Sequence, residues 1–473
     1  MFLALMSYDC TVDDAFISFR CARNLARGDG LVFNAGERIE AHSNPLWVLI
    51  LSVCSRAGLD IVAASKILGL AFGVVTLLVL RRLCRRALDM SEGAAFVALC
   101  YLAANIGFVF YAISGMETVF YMASLVVMHY LLIEKKEIAA GFVCAALALT
   151  RPEGILFVVP LALGCLMNGC RVRKVTAVLC IPAAAYVLMV TFRLAYYGAF
   201  FPNSYNAKID TVSFNASSLI SHTRALYRYT WFSSTMHGPV LFLACVGAIA
   251  FVNRKLAPVL ASIGVTVFFV WFSKGDWMCF WRFYTPVLPF LVMFWAGTFD
   301  FLRPRLSQSL RGKIVLSVFL LPLVVNVWDT VKVLREPECR DEINPAMHSL
   351  QHVQIGRYLA GVGAASDVLV VNEIGAIGYY SDLTVIDMVG LTDRQVPSLL
   401  RSGDLDAYAD YIMSRKPAFV MLNDKQSPTD TELHPCHAAI YEKMTATGLY
   451  RKDREFRLSS FKKLMLFVRD EGQ

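Results

Sequence analysis

Charge is scarce in this chain. Asp, Glu, Lys and Arg make up 17% of its 473 residues, against about 25% in an ordinary soluble domain. The hydrophobic fraction is 57% and the mean hydropathy +0.53. One water-facing globule cannot bury that much apolar surface, so a bilayer is the natural solvent. The 13 cysteines contain no C-x-x-C pair. Cys100, Cys144, Cys165, Cys180 and Cys245 lie in apolar runs, where thiols behave as small hydrophobes. No spacing supports a disulfide, Cys339 with Cys436 included, and no histidine–cysteine spacing suits a metal. A long basic stripe with interleaved aromatics is absent too, which argues against a nucleic-acid partner. The net charge of +8 is instead spread over short connections.

Apolar runs are plentiful. Ten recur, at 61–80, 95–111, 119–133, 138–149, 155–167, 175–195, 240–252, 256–272, 284–301 and 314–328. Several fall short of the roughly 20 residues that a straight span needs. The two flanking Arg151-Pro152 are the shortest, and read either as a partly crossing hairpin or as two spans whose ends extend past the apolar core. Every second connection is basic: Arg81, Arg82, Arg85 and Arg86; Lys135 and Lys136; Arg171, Arg173 and Lys174; Arg254 and Lys255; then 303–313. The positive-inside rule makes these cytoplasmic. The segment around Asp13, the loops at 115–118, 151–154, 196–237 and 274–282, and everything after Asp329 then lie outside.

This alternation demands a crossing before Tyr8, where only residues 1–6 are available. The expectation is the stub of a first transmembrane helix. A signal peptide is the alternative, but it lacks a basic start and a small-residue cleavage site. The apolar stretch 44–59 breaks the alternation if counted as a span, so it is placed as a helix at the outer interface. The expected fold is a polytopic α-helical membrane protein of about 11 transmembrane helices. Residues 1–330 form the membrane domain, with an outer first loop at 8–59, and 331–473 form a small α/β domain. In that domain 367–371 and 418–422 read as strands, 346–359 and 405–414 as helices.

Six polar clusters fall on the outer side. The first is Asp13-Asp14, with Arg20, Asn24, Asn34, Glu37, Arg38, Glu40, His42 and Asn44 following. The others are Ser114-Gly-Met-Glu117, Arg151-Pro-Glu153-Gly, Tyr197 through Pro202-Asn203-Ser-Tyr205 to Lys208, Gly275-Asp276-Trp277 with Arg282, and Asn372-Glu373 through Tyr379-Tyr380 to Asp387 and Asp393. Carboxylates at a membrane boundary are costly and are functional candidates by default. A carboxylate can take the proton of an attacking hydroxyl, and nearby cations can receive charge on a leaving phosphate. The bland readings stand beside these. The acid pair would also cap a helix running to about Arg27, Arg151 would also pair with Glu153, and the outer aromatics also suit an interfacial belt.

The runs Asp13-Asp-Ala-Phe-Ile-Ser-Phe-Arg20, Val32-Phe-Asn-Ala-Gly-Glu-Arg-Ile-Glu-Ala-His-Ser-Asn-Pro-Leu-Trp47, Arg151-Pro-Glu-Gly, Pro202-Asn-Ser-Tyr and Gly275-Asp-Trp resemble the C-type (GT-C fold) membrane glycosyltransferases. They are most similar to the mycobacterial terminal β-(1→2)-arabinofuranosyltransferase family, and more distantly to protein O-mannosyltransferases and the lipid A aminoarabinose transferase. The resemblance implies a polyprenyl-phosphate sugar donor, a glycan or lipid acceptor, and inverting transfer on the periplasmic face of the bacterial inner membrane. It makes Asp13 the general base, with Asp14 supporting it or a bound divalent cation; whether a cation is needed stays open. Arg151, Lys208, Arg282 and Arg20 are the candidates for the donor phosphate. Glu117, Glu153, Asn203, Asp276, Trp277, Glu40, His42 and Asn44 are the candidates for lining the substrate site. Transfer to a lipid is the nearest alternative. A transporter or flippase is the alternative from another class, but transporters place ionisable groups near the midplane in repeated halves; here the unusual residues lie in outer loops and no internal repeat is visible.

Overall fold

The computed structural model of the protein describes residues 11–208, 216–232, 256–276, 278, 280–335, 349–425, 435–458 and 462–470. Residues 1–10, the expected run at 240–252 and Trp277 lie outside them. The helices of the first part are α1 (Asp13–Arg27), α2 (Pro45–Arg56), α3 (Ile61–Leu88), α4 (Glu92–Ala103), α5 (Ile106–Ile113), α6 (Thr118–Ile133), α7 (Glu137–Thr150), α8 (Val158–Met167), α9 (Val172–Tyr197), α10 (Asn203–Lys208), α11 (Ala216–Phe232), α12 (Ala257–Ser273), α13 (Leu288–Leu306) and α14 (Leu310–Arg335). Among the described residues, four are long and apolar enough to cross a bilayer: α3, α9, Thr285–Leu306 and Leu310–Val333. The chain is a multi-pass membrane protein.

The run at 95–111, read as one span, is broken. α4 and α5 meet at 58°. The Asn105 side chain accepts from Phe108 N and donates to Asn326 Oδ1 at 3.0 Å. Asn326 and Thr330 in turn donate to the carbonyls of Tyr101 and Ala104. Side chains of α14 thus satisfy the backbone groups that the break sets free, which is what lets a helix kink inside an apolar layer. The connection at Arg151-Pro152 is a second interruption. Arg151 is extended (φ −148°, ψ 147°), as the residue before proline prefers, and a 3₁₀ turn at Pro152–Phe157 leads into α8. Gly154 is required there, because a Cβ would lie 2.0 Å from the Leu147 carbonyl oxygen.

The described basic connections gather at one end of the bundle; Arg254 and Lys255 lie outside the described residues. Arg81 and Arg85 pair with Glu92, Arg86 with Glu134, and Lys174 with Glu137, while Ser91 bonds Asp300. The acid pair and the C-terminal domain are joined to other loops, 111–118 among them. The stretch 44–59 forms α2, opened by Asn44 and Pro45; it buries Trp47, Val48 and Leu51 and leaves Leu49 and Val53 exposed.

The C-terminal domain runs α15 (Ser349–Val362), β1 (Val368–Val371), α16 (Gly375–Ser381), β2 (Thr384–Asp387), α17 (Val396–Ser402), α18 (Leu405–Ser414), β3 (Phe419–Lys425), α19 (Pro435–Thr447), β4 (Tyr450–Arg457) and β5 (Lys462–Arg469). The sheet order is β2-β1-β3-β5-β4, with β2, β1 and β3 parallel and β5 and β4 antiparallel. Strand alternation gives each face its own core. Leu369, Val371, Val385, Met421 and Leu466 join the core that continues into the membrane part. Val370, Ile386, Val420 and Phe467 pack with Tyr408, Ile412, Ile440 and Met444 on the other face.

α1 is the element shared by both parts. Phe16 and Phe19 are buried, and the Phe16 ring lies 5.5 and 5.6 Å from the rings of Tyr379 and Tyr380 on α16. Each such fully buried ring stabilises the junction by roughly 1.5–3 kcal/mol.

Candidate functional site

The acid pair occupies the first turn of α1, where carboxylates meet the positive end of the helix dipole. Val12, ahead of it, donates its N–H to the Ser114 carbonyl. Asp13 reaches the C-terminal domain. Its Oδ1 accepts from His352 Nδ1 at 2.9 Å and from the Ala376 amide at 2.9 Å, and its Oδ2 from the Gly375 amide at 3.1 Å. Burial pushes the Asp13 carboxyl up, but the neighbouring His352 and these hydrogen bonds outweigh it and hold the group below the usual carboxylate range. Asp14 lies close enough to Asp387 for its charge to be felt there, as does Glu373. Glu373 follows β1 and Asp387 ends β2, so both stand at carboxyl ends of parallel strands, where open α/β sheets place their ligands. Asp387 is fully buried and accepts from the amides of Val389 and Leu391 at 2.9 and 2.6 Å; burial pushes it up to about 7 against their pull. Among the described residues no group of three His, Cys, Asp or Glu side chains is arranged to hold a metal ion.

A chain of buried polar groups leads from α1 into the helices. Ser18 Oγ donates to Asn44 Oδ1 at 3.0 Å, Asn44 Nδ2 to Glu117 Oε2 at 2.8 Å, and Arg151 Nη1 to Glu117 Oε1 at 3.1 Å. Arg151 Nε also bonds Glu153. The Phe283 ring lies 5.1 Å from both the Arg151 and Arg282 guanidinium carbons. Arg282 Nε and Asp276 Oδ2 are 2.6 Å apart, a charge contact whose angle is not that of a hydrogen bond. Two cations and three carboxylates are thereby buried together, which is tolerable only because they pair.

The other flank is held by a spanning helix. Arg193 of α9 donates from Nε to both oxygens of Glu40, at 3.0 and 2.8 Å. Burial pushes the Glu40 carboxyl up to about 6 despite this partner. His42 is buried beside the pair, 4.0 Å from Glu40 Oε1, and burial pushes its imidazole down to about 3, so it is neutral at ordinary pH. Asn203 Nδ2 is shared by the carbonyls of Gly390, Leu391 and Asp393 at 2.7, 3.0 and 2.8 Å.

All six polar clusters are therefore linked. Their roles in the folded chain differ from the sequence reading in several places. Arg20, a candidate for the donor phosphate, spends its guanidinium on the carbonyls of Phe33, Gly378 and Leu383 and on Asn34 Oδ1. It holds α1 to the C-terminal domain. Asn203 likewise brackets a loop of that domain, while Arg151 pairs with Glu153, the alternative the sequence offers for it, and with Glu117 besides. The side chain of Lys208 lies outside the described residues, as Trp277 does. Two participants had gone unread. Arg193 carried a signal, a lone arginine in an apolar run. His352 carried none, because a single histidine in a polar helix has no pattern.

A bundle of apolar helices with its polar clusters linked, joined at α1 to a small α/β domain, is the GT-C architecture. The structure is similar to that of ArnT from Cupriavidus metallidurans bound to undecaprenyl phosphate (TM-score 0.57, 11% identity, covering 98% of this chain and 95% of that one). It is also similar to the oligosaccharyltransferase of Archaeoglobus fulgidus (TM-score 0.56, 11% identity, 87% and 64%). In sequence, the chain resembles the terminal β-(1→2)-arabinofuranosyltransferase of Mycobacterium tuberculosis, with 32% identity over 225 residues. That match covers 41% of this chain and spans about a third, 34%, of the relative's length. Residues 342–464 match a family described as a domain of unknown function.

Proposed function

We propose that the chain is a glycosyltransferase that moves a sugar from a polyprenyl-phosphate donor to a hydroxyl of an extracytoplasmic glycan or glycoconjugate. The acceptor hydroxyl gives its proton to Asp13, and its oxygen forms the new bond to the anomeric carbon. The bond from that carbon to the donor phosphate breaks, and its electron pair leaves on the phosphate oxygen. Attack opposite the leaving group inverts the anomeric centre. Arg282 is the cation assigned to the leaving phosphate, since its partner Asp276 meets it off the hydrogen-bonding axis.

The observation that carries this reading is the setting of Asp13. A boundary carboxylate is held low in pKa and oriented, and a buried hydrogen-bond network joins α1 to Arg151, which shares the Phe283 ring with Arg282. The GT-C fold and the arabinofuranosyltransferase likeness supply the substrate class. The relative's sugar and the lipid in the ArnT structure suggest the first donor to try, a polyprenyl-phosphate arabinofuranose. Asp13→Asn in the full chain, in lipid nanodiscs, should lower kcat for sugar transfer by about 10²–10⁴-fold with membrane insertion intact. Unchanged transfer by that variant removes Asp13 from the role.

A further inference from the structure

Asp13 and His352 meet across 339 residues of chain. His352 is 2% exposed on the first turns of α15. Among the described residues, every donor to the Asp13 carboxylate comes from the C-terminal domain: His352 Nδ1, the Gly375 amide and the Ala376 amide. The close approach is built in at Gly375, where a Cβ would lie 2.0 Å from the Asp13 carbonyl oxygen and 2.4 Å from Oδ2. An ionised carboxylate offers about four lone-pair sites. Oδ1 uses two and Oδ2 one, so among the described residues about one site on Oδ2 stays open, on a side chain still 14% exposed.

Docking alone does not need this histidine. Arg20 binds the carbonyls of Gly378 and Leu383, Arg23 bonds Asp382, and Asn34 pairs with the backbone of Val385. These contacts join the same two surfaces without touching the acid pair. The His352 bond adds orientation: together with the two amides it fixes the plane of the carboxylate.

We infer that His352 is a positioning residue for sugar transfer, supplied by the domain of unknown function to the base carried on α1. The C-terminal domain turns Oδ2 of Asp13 toward the acceptor hydroxyl. This inference rests on the reading of Asp13 as general base. It gives residues 342–464 a task in the reaction: they complete the site.

The test uses the full chain in nanodiscs and compares His352→Ala, His352→Asn and His352→Gln with Asp382→Ala, which breaks the Arg23 and Arg27 bridges of the same interface. The Asn amide can replace Nδ1 as donor, whereas the longer Gln places its amide elsewhere. Misplacing a reacting group by about 1 Å can cost on the order of 10²-fold. His352→Ala and His352→Gln should therefore lose about 10–100-fold in kcat, with the donor KM within about twofold. His352→Asn should recover most of kcat, and Asp382→Ala should stay near wild type. If His352→Ala does not fold, the Asn–Gln pair decides: equal kcat for the two overturns the inference. Wild-type kcat in His352→Ala, or the same joint loss of kcat and KM in His352→Ala and Asp382→Ala, also overturns it alone. A wild-type chain that transfers no sugar overturns the functional reading, and this inference with it.

Discussion

The fold shifts the carboxyls of Asp387 and Asp13 in opposite directions. Asp387 ends β2 with no exposed surface, and burial raises its carboxyl from 3.8 to about 7. The folded chain therefore holds a proton there that the unfolded chain has already released at pH 5 or 6. Stability from this group is full below the unfolded value and falls as pH rises from about 4 to 7. Asp13 lies below 3.8, so its contribution is present above that value and is lost as pH falls through its lower, folded value. Asp387 should thus make the melting temperature of the wild-type chain decline between pH 5 and 7.5, against the smaller opposite pull of His42, whose lowered pKa adds stability up to about pH 6.5. Asp387→Asn should flatten that decline. An equally steep decline in Asp387→Asn would assign the pH dependence to other groups. The sequence marks Asp387 only as a member of the sixth polar cluster and carries no sign of the shift. Its shift comes from a burial that only the packing of β2 against its neighbours creates.

At the scale of elements, α9 shows how a spanning helix is tied to a loop. Its 26 residues carry one buried arginine, Arg193, against Glu40, and near its end Tyr197 donates to the Leu31 carbonyl at 2.6 Å. Removing one member of a buried pair leaves the other charged and unsatisfied, at a cost of about 3–5 kcal/mol, while replacing both by apolar residues is often neutral or better. Arg193→Ala should therefore lower the thermal stability of the detergent-solubilised chain sharply, and Arg193→Leu with Glu40→Leu should restore most of it. A double variant no better than the single one would mean that Glu40 has a second task beyond the pair.

Legibility also divides by element. α18 covers the stretch expected as a helix, with Asp404 as its cap, and the strands at 367–371 and 418–422 reappear as β1 and the first part of β3. β4 escaped because Tyr450–Arg457 is an exposed edge strand full of charge, the composition that keeps edges from pairing further and that hides the period-2 signal. The bend between α4 and α5 escaped because Asn326, which stabilises it, is 221 residues from Asn105. In the site, the residue types are readable, and so is the local pair of Arg151 with Glu153, but the distant partners are not. Arg20 and Arg151 look alike as boundary cations, yet one is spent on carbonyls and the other on carboxylates.

At the scale of the whole molecule, the charge alternation that suggested a topology has a physical counterpart. Among the described residues, the basic connections are clamped to one another through Glu92, Glu134, Glu137 and Asp300. The acid pair, the C-terminal domain and the loops at 114–118, 151–154 and 276–282 are joined in a separate network. Two such ends, separated by helices with apolar exposed faces, leave two possible orientations in a membrane. By the positive-inside rule, the excess of Lys and Arg in short connections predicts one of them. Reporter fusions after Arg86 and after Lys136 should read cytoplasmic, and a fusion after Asp367 should read extracytoplasmic. The prediction bears on chemistry as well as address, because the proposed polyprenyl-phosphate sugar would have to meet its acceptor on the side where Asp13 lies. A cytoplasmic reading for the Asp367 fusion would put His352 and the acid pair on the cytoplasmic side together. The proposed acceptor would then have to be a cytoplasmic hydroxyl compound instead of an envelope glycan. An extracytoplasmic reading there, with cytoplasmic readings at the other two positions, leaves the linked acid-pair network facing the compartment where that glycan is built.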